Sequence, residues 1–558
     1  MNAVSEISNC SAVSAWQASS LLKIPPFPGA QMSSFERLPL ETDRALSFEQ
    51  CIALVREQRV GGTFWAAQPL LPSSYFLVRS NGVVPAHDEI GLQHGKPLVW
   101  CSASSRKAPR GAISGDCDPW HMLAGATGLL CEPEDEVQLI AVMLGVPIYL
   151  SDPGRGPPRR SGSSSARLAE TLPFKASFSS PFGGDVMSLV DIINLCGFWR
   201  ALIDSNRDIA GGLGFALWKQ ASVLPLLWTG GDPGAFFRDA ANVAAEAGAV
   251  ALWRSRVSPE LIAKIEQRGT AIVEVEDGFL RSTGLGADCI PPLSITVDRL
   301  GPYFDPAQPS ELEELIEHGL FGPALVCRAR AIRETIVAAG LGKYGRSDAT
   351  IERFDSERRH ILVVGQVEDD RSVLTGGCGL STNQELLERV RASEPNAFLV
   401  YKPHPDVVAG HRKGTISHKM GRQLADRVVT DLAISSLIDM VDEVHVNTSL
   451  AGFEALMRQK SVTTYGVPFY AGWGLTRDLG PVPARRTRRC TLDELVAATL
   501  LLYPRYLDPQ SGLPCPAEVV VDRLTRLPSE RVSRLVTLRR FQGWMRTYLK
   551  SWSATALR

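Results

Sequence analysis

The sequence predicts an α/β protein with two consecutive Rossmann-like halves and a cleft between them, preceded by a smaller N-terminal α/β region. Three observations lead to this fold class. Runs such as "HILVVGQ" (360–366) and "EVHVNTS" (443–449) begin with continuous apolar or β-branched residues, as in strands buried on both faces of a parallel sheet. Amphipathic segments such as "NQELLERVRAS" (383–393) lie between them. Each run ends in Gly or polar residues, at the strand ends where such sheets bind ligands.

Composition excludes several classes of protein. The chain has 558 residues, with 59 Lys and Arg against 60 Asp and Glu, so no overall basic field indicates a nucleic-acid partner. Eleven cysteines occur without a C-x-x-C pair, which favours reduced thiols over a disulfide framework or a zinc site. The sequence lacks an uninterrupted apolar stretch of about eighteen residues and a secretory signal pattern, so we expect a cytoplasmic protein.

Pattern and composition divide the chain into six segments. The clearest boundary is "SDPGRGPPRRSGSSSARLAE" (151–170), whose Gly, Pro, Ser and Arg content is typical of a linker. The predicted segments are a disordered N-terminus (1–40), a partial α/β module (41–150), a linker (151–181), a first Rossmann-like half (182–350), a second half (351–522) and a basic amphipathic C-terminal helix (523–558).

The segment "KPHPDVVAGHR" (402–412) concentrates positive charge and imidazole after a predicted strand. Its prolines restrict the backbone and fix the direction of His404. Lys402 supplies a point charge for phosphate, and an imidazole can donate a hydrogen bond to a phosphate oxygen. The alternative is a polar surface turn, with His411 and Arg412 on a helix surface.

The segment "VNTSLAGFEAL" (446–456) runs from a strand into a helix through Ser449 and small residues. Backbone N–H groups at a helix start favour an anion, and Glu454, one turn later, could accept both hydroxyls of a ribose. Ordinary Ser or Thr capping of a helix is the alternative.

Two acidic segments follow other strands. "GQVEDDRSV" (365–373) contains Glu368, Asp369 and Asp370, which suit a nucleophile or base, or form a solvated acidic turn. A metal site would need further ligands at suitable spacing, and the sequence has none there. "VEVEDGFLRSTGLGAD" (273–288) places Glu276 and Asp277 ahead of an arginine.

Arg281, in that second segment, makes two readings possible. A carboxylate beside an Arg suits acid catalysis or recognition of an acidic sugar, and the alternative is a surface ion pair at a strand exit. The later segment "YGVPFYAGWGLTRD" (465–478) offers Tyr470 and Trp473, which either stack on a base or sugar or pack in a hydrophobic loop.

Taken in order, these motifs resemble one family. "EDGFLRSTGLGAD", "GQVEDDRSV", "VYKPHPDVVAGHR", "DEVHVNTSLAGFEALMRQKSV" and "YGVPFYAGWGLTRD" resemble the bacterial capsule β-Kdo transferases, the KpsC/KpsS family, within residues 195–525. The resemblance implies a GT-B-like retaining glycosyltransferase that moves Kdo from CMP-Kdo to a lipid-linked or sugar acceptor. It implies no metal and no other cofactor. The second half would bind the nucleotide and the first half would face the acceptor.

The same resemblance assigns the catalytic roles. Asp370 would be the nucleophile, because Gln366, Asp370 and Ser372 follow the family pattern, and the adjacent Asp369 is the rival. Glu276 would be the general acid or base, with Asp277 beside it. The residues assigned to the nucleotide sugar are Lys402 and His404 at the phosphate, Ser449 beside them, Glu454 at the ribose, and Gln366 and Arg281 in the sugar site.

The resemblance also implies a location and partners. An enzyme with a lipid-linked acceptor would work on the inner face of the cytoplasmic membrane, with other capsule assembly proteins as further partners. The C-terminal segment fits, because it holds nine basic residues and one acidic residue with apolar residues at helical spacing. A helix packed on the fold with solvated cations is the alternative.

One part of the chain departs from the family. Members carry two complete modules, whereas here "GATGLLCEPEDEVQLIAVMLGVPIYL" (125–150) resembles only a remnant of a nucleotide-binding half, so region 41–150 is predicted to be non-catalytic. The competing function for the whole chain is a non-catalytic export or assembly factor that binds the capsule glycolipid.

Overall fold

The chain forms two compact units. The first consists of Met1–Asp208, Leu227–Gly234 and Gln510–Leu513, and the second of Ile209–Leu226, Ala235–Pro509 and Pro514–Arg558. The computed structural model describes residues 21–41, 46–79, 97–102, 112–133, 135–150, 159–161, 176–233, 236–237, 248–282, 290–342, 345–346, 351–354 and 357–526. Within these stretches, no helix combines the length and apolar character needed to cross a bilayer.

The first unit contains a six-stranded sheet and a smaller three-stranded sheet. Its strands are β1 (Arg37–Glu41), β2 (Tyr75–Arg79), β3 (Leu98–Ser102), β4 (Ile113–Ser114), β5 (Ala126–Cys131), β6 (Ile148–Leu150), β7 (Arg159–Arg160), β8 (Ala176–Ser179) and β9 (Val186–Ser188). The large sheet has the order β4-β3-β2-β5-β6-β7, parallel except for β7. This is the 3-2-1-4-5-6 order of a doubly wound sheet. Its helices are Phe48–Gln58, Pro119–Ala124, Val137–Leu144 and Leu189–Asp204.

Parts of the predicted disordered N-terminus and linker are ordered elements of this unit. Leu21, Ile24 and Phe27 are buried in its core, where Phe27 meets Trp199 edge-on at 6.0 Å between ring centroids. Strand β1 pairs with β8, which lies inside the predicted linker, and β7 pairs with β6. The prolines and serines of these segments concealed the few apolar residues that anchor them. Residues 1–20 and 162–175 lie outside the described residues.

The second unit holds two six-stranded sheets. Its strands are β10 (Ile209–Leu213), β11 (Ala249–Leu252), β12 (Ile272–Asp277), β13 (Ser294–Asp298), β14 (Leu341–Gly342), β15 (Gly345–Arg346), β16 (His360–Val364), β17 (Phe398–Lys402), β18 (Arg427–Val428), β19 (Glu443–Val446), β20 (Ser461–Thr464), β21 (Arg477–Asp478), β22 (Pro504–Leu507) and β23 (Pro514–Cys515). The sheet orders are β10-β11-β12-β13-β22-β23 and β18-β17-β16-β19-β20-β21. Strands β14 and β15 form a separate hairpin.

Helices connect these strands. They are Leu217–Val223, Pro259–Gln267, Glu311–His318, Pro323–Ala338, Arg371–Gly376, Asn383–Ser393, Pro405–Val408, His418–Leu424, Ile434–Met440, Ala451–Met457, Leu492–Val496 and Ala517–Arg526, with 3₁₀ turns at Leu224–Leu226 and Arg254–Arg256 and a π-helical turn at Ala497–Leu502. The helix Asn383–Ser393 shows why they form. Thr382 caps it by accepting a hydrogen bond from Glu385 N, and Leu386, Leu387 and Val390 pack on the sheet core. Full burial of one such leucine contributes about 1.5–3 kcal/mol.

The two sheets differ from each other. The sheet around β16 is parallel throughout and has the 3-2-1-4-5-6 order, as predicted for a Rossmann-like half. In the other sheet β10, β11 and β12 pair parallel to one another, whereas the pairs β12–β13, β13–β22 and β22–β23 are antiparallel. The prediction of a mixed α/β protein with parallel sheets is confirmed, whereas the first of these halves is only partly Rossmann-like.

The predicted limits of the halves also need correction. The helix Leu189–Asp204 belongs to the first unit, so the second unit starts at Ile209 rather than residue 182. Strand β22 pairs antiparallel with β13, which returns the chain to the first of the two sheets before residue 522. Such long-range antiparallel pairing leaves no periodic signature in the local sequence. The predicted C-terminal helix lies outside the described residues, except that 523–526 end the helix Ala517–Arg526.

Gly365 provides a test of the packing between β16 and β17. A Cβ atom at residue 365 would lie 2.6 Å from the Oη atom of Tyr401, which is buried. We therefore expect Gly365→Ala to lower the free energy of unfolding by about 1–3 kcal/mol in urea denaturation. Gly421→Ala is the control, because its Cβ would meet only an ordinary contact at 3.4 Å within a helix. Equal stability of Gly365→Ala and wild type would contradict this packing.

Candidate active site

The carboxyl ends of β16 and β19 are neighbours at the point where the strand order reverses. Gln366 joins them. Its Oε1 accepts a hydrogen bond from Thr448 N at 2.8 Å, and its Nε2 donates to Thr448 Oγ1 at 2.9 Å. Asn383 holds the Gln366 backbone through two hydrogen bonds of 2.7 Å. Gln366 therefore has a framework role at this edge, and its contact with a sugar stays a prediction.

Asp370 is the N-terminal cap of the helix Arg371–Gly376. Its Oδ1 accepts hydrogen bonds from Ser372 N at 3.0 Å and from Ser372 Oγ at 2.7 Å. The capping geometry explains the Asp-x-Ser spacing of the motif. Because both bonds use Oδ1, they hold the carboxylate in one orientation.

The two other acidic residues of this segment have different surroundings. Glu368 Oε1 accepts a hydrogen bond from Asn383 N at 2.9 Å, and Glu368 also lines a small pocket together with Gln366 and Asn383. Asp369 is exposed and forms an ion pair with Arg412 at 3.1 Å. The predicted helix-surface position of Arg412 is therefore wrong, since the helix Pro405–Val408 ends before it. The three contiguous carboxylates are thus separated in space by their partners.

The "KPHP" segment begins at Lys402, the last residue of β17, whose carbonyl accepts a hydrogen bond from the N–H of Gly365, just after β16. Lys402 is buried, and its Nζ donates to Thr430 O at 2.7 Å. Burial lowers the pKa of Lys402 below its ordinary value, while Asp431 opposes this shift. Asp406 N donates to Nδ1 of His404 at 3.1 Å, so the neutral ring carries its proton on Nε2. His404 thereby keeps a donor atom of defined position.

Ser449 and Glu454 lie at the start of the helix after β19. Ser449 Oγ accepts a hydrogen bond from Ala451 N at 3.3 Å, which is a local capping interaction. Glu454 is buried, and a Cβ atom at Gly342 would lie 3.3 Å from its Oε1. Its carboxylate therefore packs against the backbone of the β14–β15 hairpin, a contact that the sequence did not reveal.

Glu276 lies at the end of β12, in the other sheet of the same unit. Its Oε1 is 3.4 Å from Nη1 of Arg371, and its side chain is 18% exposed. Burial, and then repulsion by Asp277, raises the pKa of Glu276 to about 8, although Arg371 and Lys219 oppose the shift. A carboxyl group with a pKa close to neutral pH is suited to exchange a proton with a hydroxyl group.

Asp277 lies between two cations. Its Oδ1 is 3.1 Å from Lys219 Nζ and its Oδ2 is 3.0 Å from Arg281 Nε. Lys219 Nζ also lies 3.4 Å from the centroid of the Trp253 ring, a cation–π contact. Both cationic side chains are buried, so of the two alternatives for Arg281 the surface ion pair does not apply.

Tyr470 and Trp473 are fully buried, which supports the packing alternative for the aromatic loop. Tyr470 Oη donates to Ser449 O, and Trp473 Nε1 donates to Phe469 O at 2.8 Å. Gly452 makes the first contact possible, because a Cβ there would lie 2.2 Å from Tyr470 Oη. The aromatic loop thus supports the backbone at Ser449 instead of presenting rings to a ligand.

The structure brings together the two acidic segments predicted from the sequence, one with Asp370 and one with Glu276. Arg371, next to Asp370, contacts Glu276, and this joins the two acidic segments within the second unit. Sequence reasoning missed Arg371 and Lys219, because single cations without a repeated spacing give no motif. Across the stretches that the structure describes, no group of three or more His, Cys, Asp or Glu side chains is placed to hold a metal ion.

These features define an α/β protein whose acidic and basic side chains gather at strand ends, as in enzymes that act on anionic ligands. Residues 248–341 and 330–506 match a family described as "Capsule polysaccharide biosynthesis protein". This part of the chain is similar to the family, which confirms the resemblance inferred from the motifs.

Three similar proteins show the extent of the match. "Capsule polysaccharide modification protein LipA" of Neisseria meningitidis is 36% identical over 354 residues, 62% of this chain and 50% of LipA. "Lipopolysaccharide-processing protein LpsZ" of Rhizobium meliloti is 50% identical over 236 residues, 42% of this chain and 53% of LpsZ. The chain therefore spans about half the length of these relatives. A solved structure, "Thermosulfurimonas dismutans KpsC, beta Kdo 2,4 transferase", is 36% identical, with 50% of this chain and 87% of that chain covered and a TM-score of 0.46.

The raised pKa of Glu276 predicts a pH dependence of stability. The unfolded chain loses this proton near pH 4.5 and the folded protein near pH 8, so stability should fall as pH rises between these values. Glu276→Gln should remove that loss and stabilise the protein by about 3 kcal/mol at pH 7. Urea denaturation at pH 5 and pH 8 measures the effect. The exposed Glu266→Gln is the control, and an unchanged pH dependence in Glu276→Gln would contradict the assignment.

Proposed function

We propose that the protein is a glycosyltransferase of capsular polysaccharide synthesis that moves Kdo from CMP-Kdo to a lipid-linked or sugar acceptor with retention of configuration. The contact between Arg371 and Glu276 carries this proposal. It brings a carboxyl group with a raised pKa to the helix capped by Asp370. Two carboxyl groups with separate surroundings are what a retaining transfer by double displacement requires.

In the proposed first step, Asp370 Oδ2 attacks the anomeric carbon of Kdo. The bond from that carbon to the phosphate oxygen breaks, and CMP leaves with the bonding electrons. Asp370 is favoured over Asp369 because its orientation is fixed by Ser372, whereas Asp369 is exposed and paired with Arg412. A nucleophile held in one orientation loses less entropy on reaching the transition state.

In the proposed second step, an acceptor hydroxyl attacks the same carbon and releases Asp370. Glu276 takes the hydroxyl proton in its ionised form, for which a pKa of about 8 gives a stronger base than an ordinary carboxylate. Inversion in each of the two steps gives overall retention. Arg371, at 3.4 Å from Glu276, would favour the ionised form when the proton has to be removed.

The proposed donor site uses the strand ends around β16. Lys402 and His404 would hold the single phosphate of CMP-Kdo, with Ser449 beside them and Glu454 at the ribose. A buried ammonium group and an imidazole with its proton on Nε2 supply the donors that a phosphate monoanion needs. A monophosphate makes a metal ion unnecessary for charge neutralisation, and we propose catalysis without a metal or other cofactor.

We further propose that the enzyme acts at the inner face of the cytoplasmic membrane, where a lipid-linked acceptor would be presented. The basic composition of residues 523–558 supports attachment to anionic lipid. The GT-B arrangement of the two halves, contact with other capsule assembly proteins and the non-catalytic character of residues 41–150 remain proposals of the same kind.

Asp370→Asn tests the nucleophile. The purified protein is incubated with CMP-Kdo and a synthetic glycolipid acceptor, and CMP release and the protein mass are recorded. We expect turnover to fall by at least about 10³-fold and the covalent Kdo adduct to disappear, because an amide is a poor nucleophile. Asp369→Asn is the matched control and should stay within about threefold of wild type. An adduct on Asp369 would overturn the assignment, and a wild type without CMP release would favour a non-catalytic glycolipid-binding factor.

Lys402→Met tests the phosphate site. Loss of one buried charge-assisted hydrogen bond should raise KM for CMP-Kdo about tenfold while urea denaturation shows a folded protein. The control is Lys413→Met, an exposed lysine after the helix Pro405–Val408, which should leave KM unchanged. Equal KM values for the two variants would place the phosphate elsewhere.

A further inference from the structure

We propose that Lys219 is a positioning residue of this site: together with Arg281 it holds Asp277, and through Asp277 it fixes the end of β12 that presents Glu276. The inference rests on the proposed function, because it assigns Lys219 to the transfer reaction. Neither the family motifs nor the spacing of the sequence points to this lysine.

The geometry separates the two adjacent carboxylates. Successive side chains of a strand point to opposite faces, so Glu276 and Asp277 leave β12 in different directions. Asp277 meets Lys219 at 3.1 Å and Arg281 at 3.0 Å, one cation for each oxygen. Glu276 meets Arg371 at 3.4 Å on its own side. Asp277 therefore anchors the end of β12, and of these two carboxylates only Glu276 has the proposed role of general acid or base.

The surroundings of Lys219 show that its charge is costly to keep. Its side chain is 8% exposed, and its Nζ lies over the Trp253 ring at 3.4 Å and near the Trp218 ring at 5.1 Å. Burial lowers the pKa of Lys219 to about 8, although Asp277 and Glu276 oppose the shift. A buried ion pair of this kind is a weak source of stability, since an apolar side chain of similar size often replaces it without loss. Its presence beside Glu276 therefore indicates a function.

The charges that face Glu276 set the direction of the effect. Asp277 and Glu274 raise its pKa, whereas Arg371 and Lys219 lower it. Glu274 is itself paired with Arg254. Removing Lys219 should shift the pKa of Glu276 upward, so less of the ionised base is present at pH 7. A merely structural lysine would not have this effect on a proton transfer.

The kinetic test compares Lys219→Met, Lys219→Arg and the exposed Lys264→Met as matched control. For Lys219→Met we expect kcat at pH 7 to fall by about 10–100-fold, as for other residues that orient a functional group, with KM for CMP-Kdo within about threefold. The rise of kcat with pH should move to higher pH, and Lys219→Arg should restore most of the activity. Equal falls in kcat at all pH values, or a loss confined to KM, would overturn the proposal.

A second test does not require activity and so separates this inference from the proposed function. Urea denaturation is measured for Lys219→Met, Asp277→Asn and the double variant. Asp277→Asn alone should lower the unfolding midpoint, because it removes the anion that both buried cations contact, and adding Lys219→Met should recover part of that loss. Additive changes in midpoint would show that Lys219 does not act through Asp277 and would overturn the inference even in an active enzyme.

Discussion

The compensation of buried charge at the ends of β12 and β16 is the constraint on which the site depends. Charged side chains there are removed from water, so each requires a partner of opposite charge or a set of hydrogen bonds. Asp277 has two close cations, whereas Glu276 has one contact at 3.4 Å. Asp277 is thus held as an anchor by its two cations, whereas burial raises the pKa of Glu276 to about 8. Two adjacent residues of one chemical type thereby serve different purposes.

At the strand ends of the sheet around β16, neutral side chains meet the same constraint. Gln366 satisfies Thr448 through a donor and an acceptor at once, and Asn383 does the same for the Gln366 backbone. Amides bridge strand ends without the desolvation cost of ions, so they form a rigid frame. Charge is then reserved for Lys402 and Asp370, whose positions on this frame are set by the strands and by a helix cap. A site built on rigid elements holds its reacting groups more accurately than one built on long loops.

The sequence was informative where physical chemistry acts locally. Buried parallel strands such as β16 and β19 require continuous apolar runs, and their polar ends require motifs, so both were predicted. Contacts between distant segments were not, because Arg371 and Lys219 gain their meaning only from the fold. The return of β22 to β13 and the burial of Phe27 against Trp199 are of the same kind. The role of Tyr470 and Trp473 could not be predicted for another reason. Aromatic side chains are common both in sites that stack on a ligand and in the core, and only the structure shows that these two are buried.

The sheet of the first unit shows why the fold alone does not define the function. Its order is that of the parallel sheet around β16, and the segment β5, helix Val137–Leu144 and β6 occupies the same topological place as β19, helix Ala451–Met457 and β20. At its strand ends, however, Arg79 forms an ion pair with Asp135 at 2.6 Å. The charge that could attract an anionic ligand is thus paired within the chain. The two sheets share a topology, and the side chains at their strand ends make them chemically different.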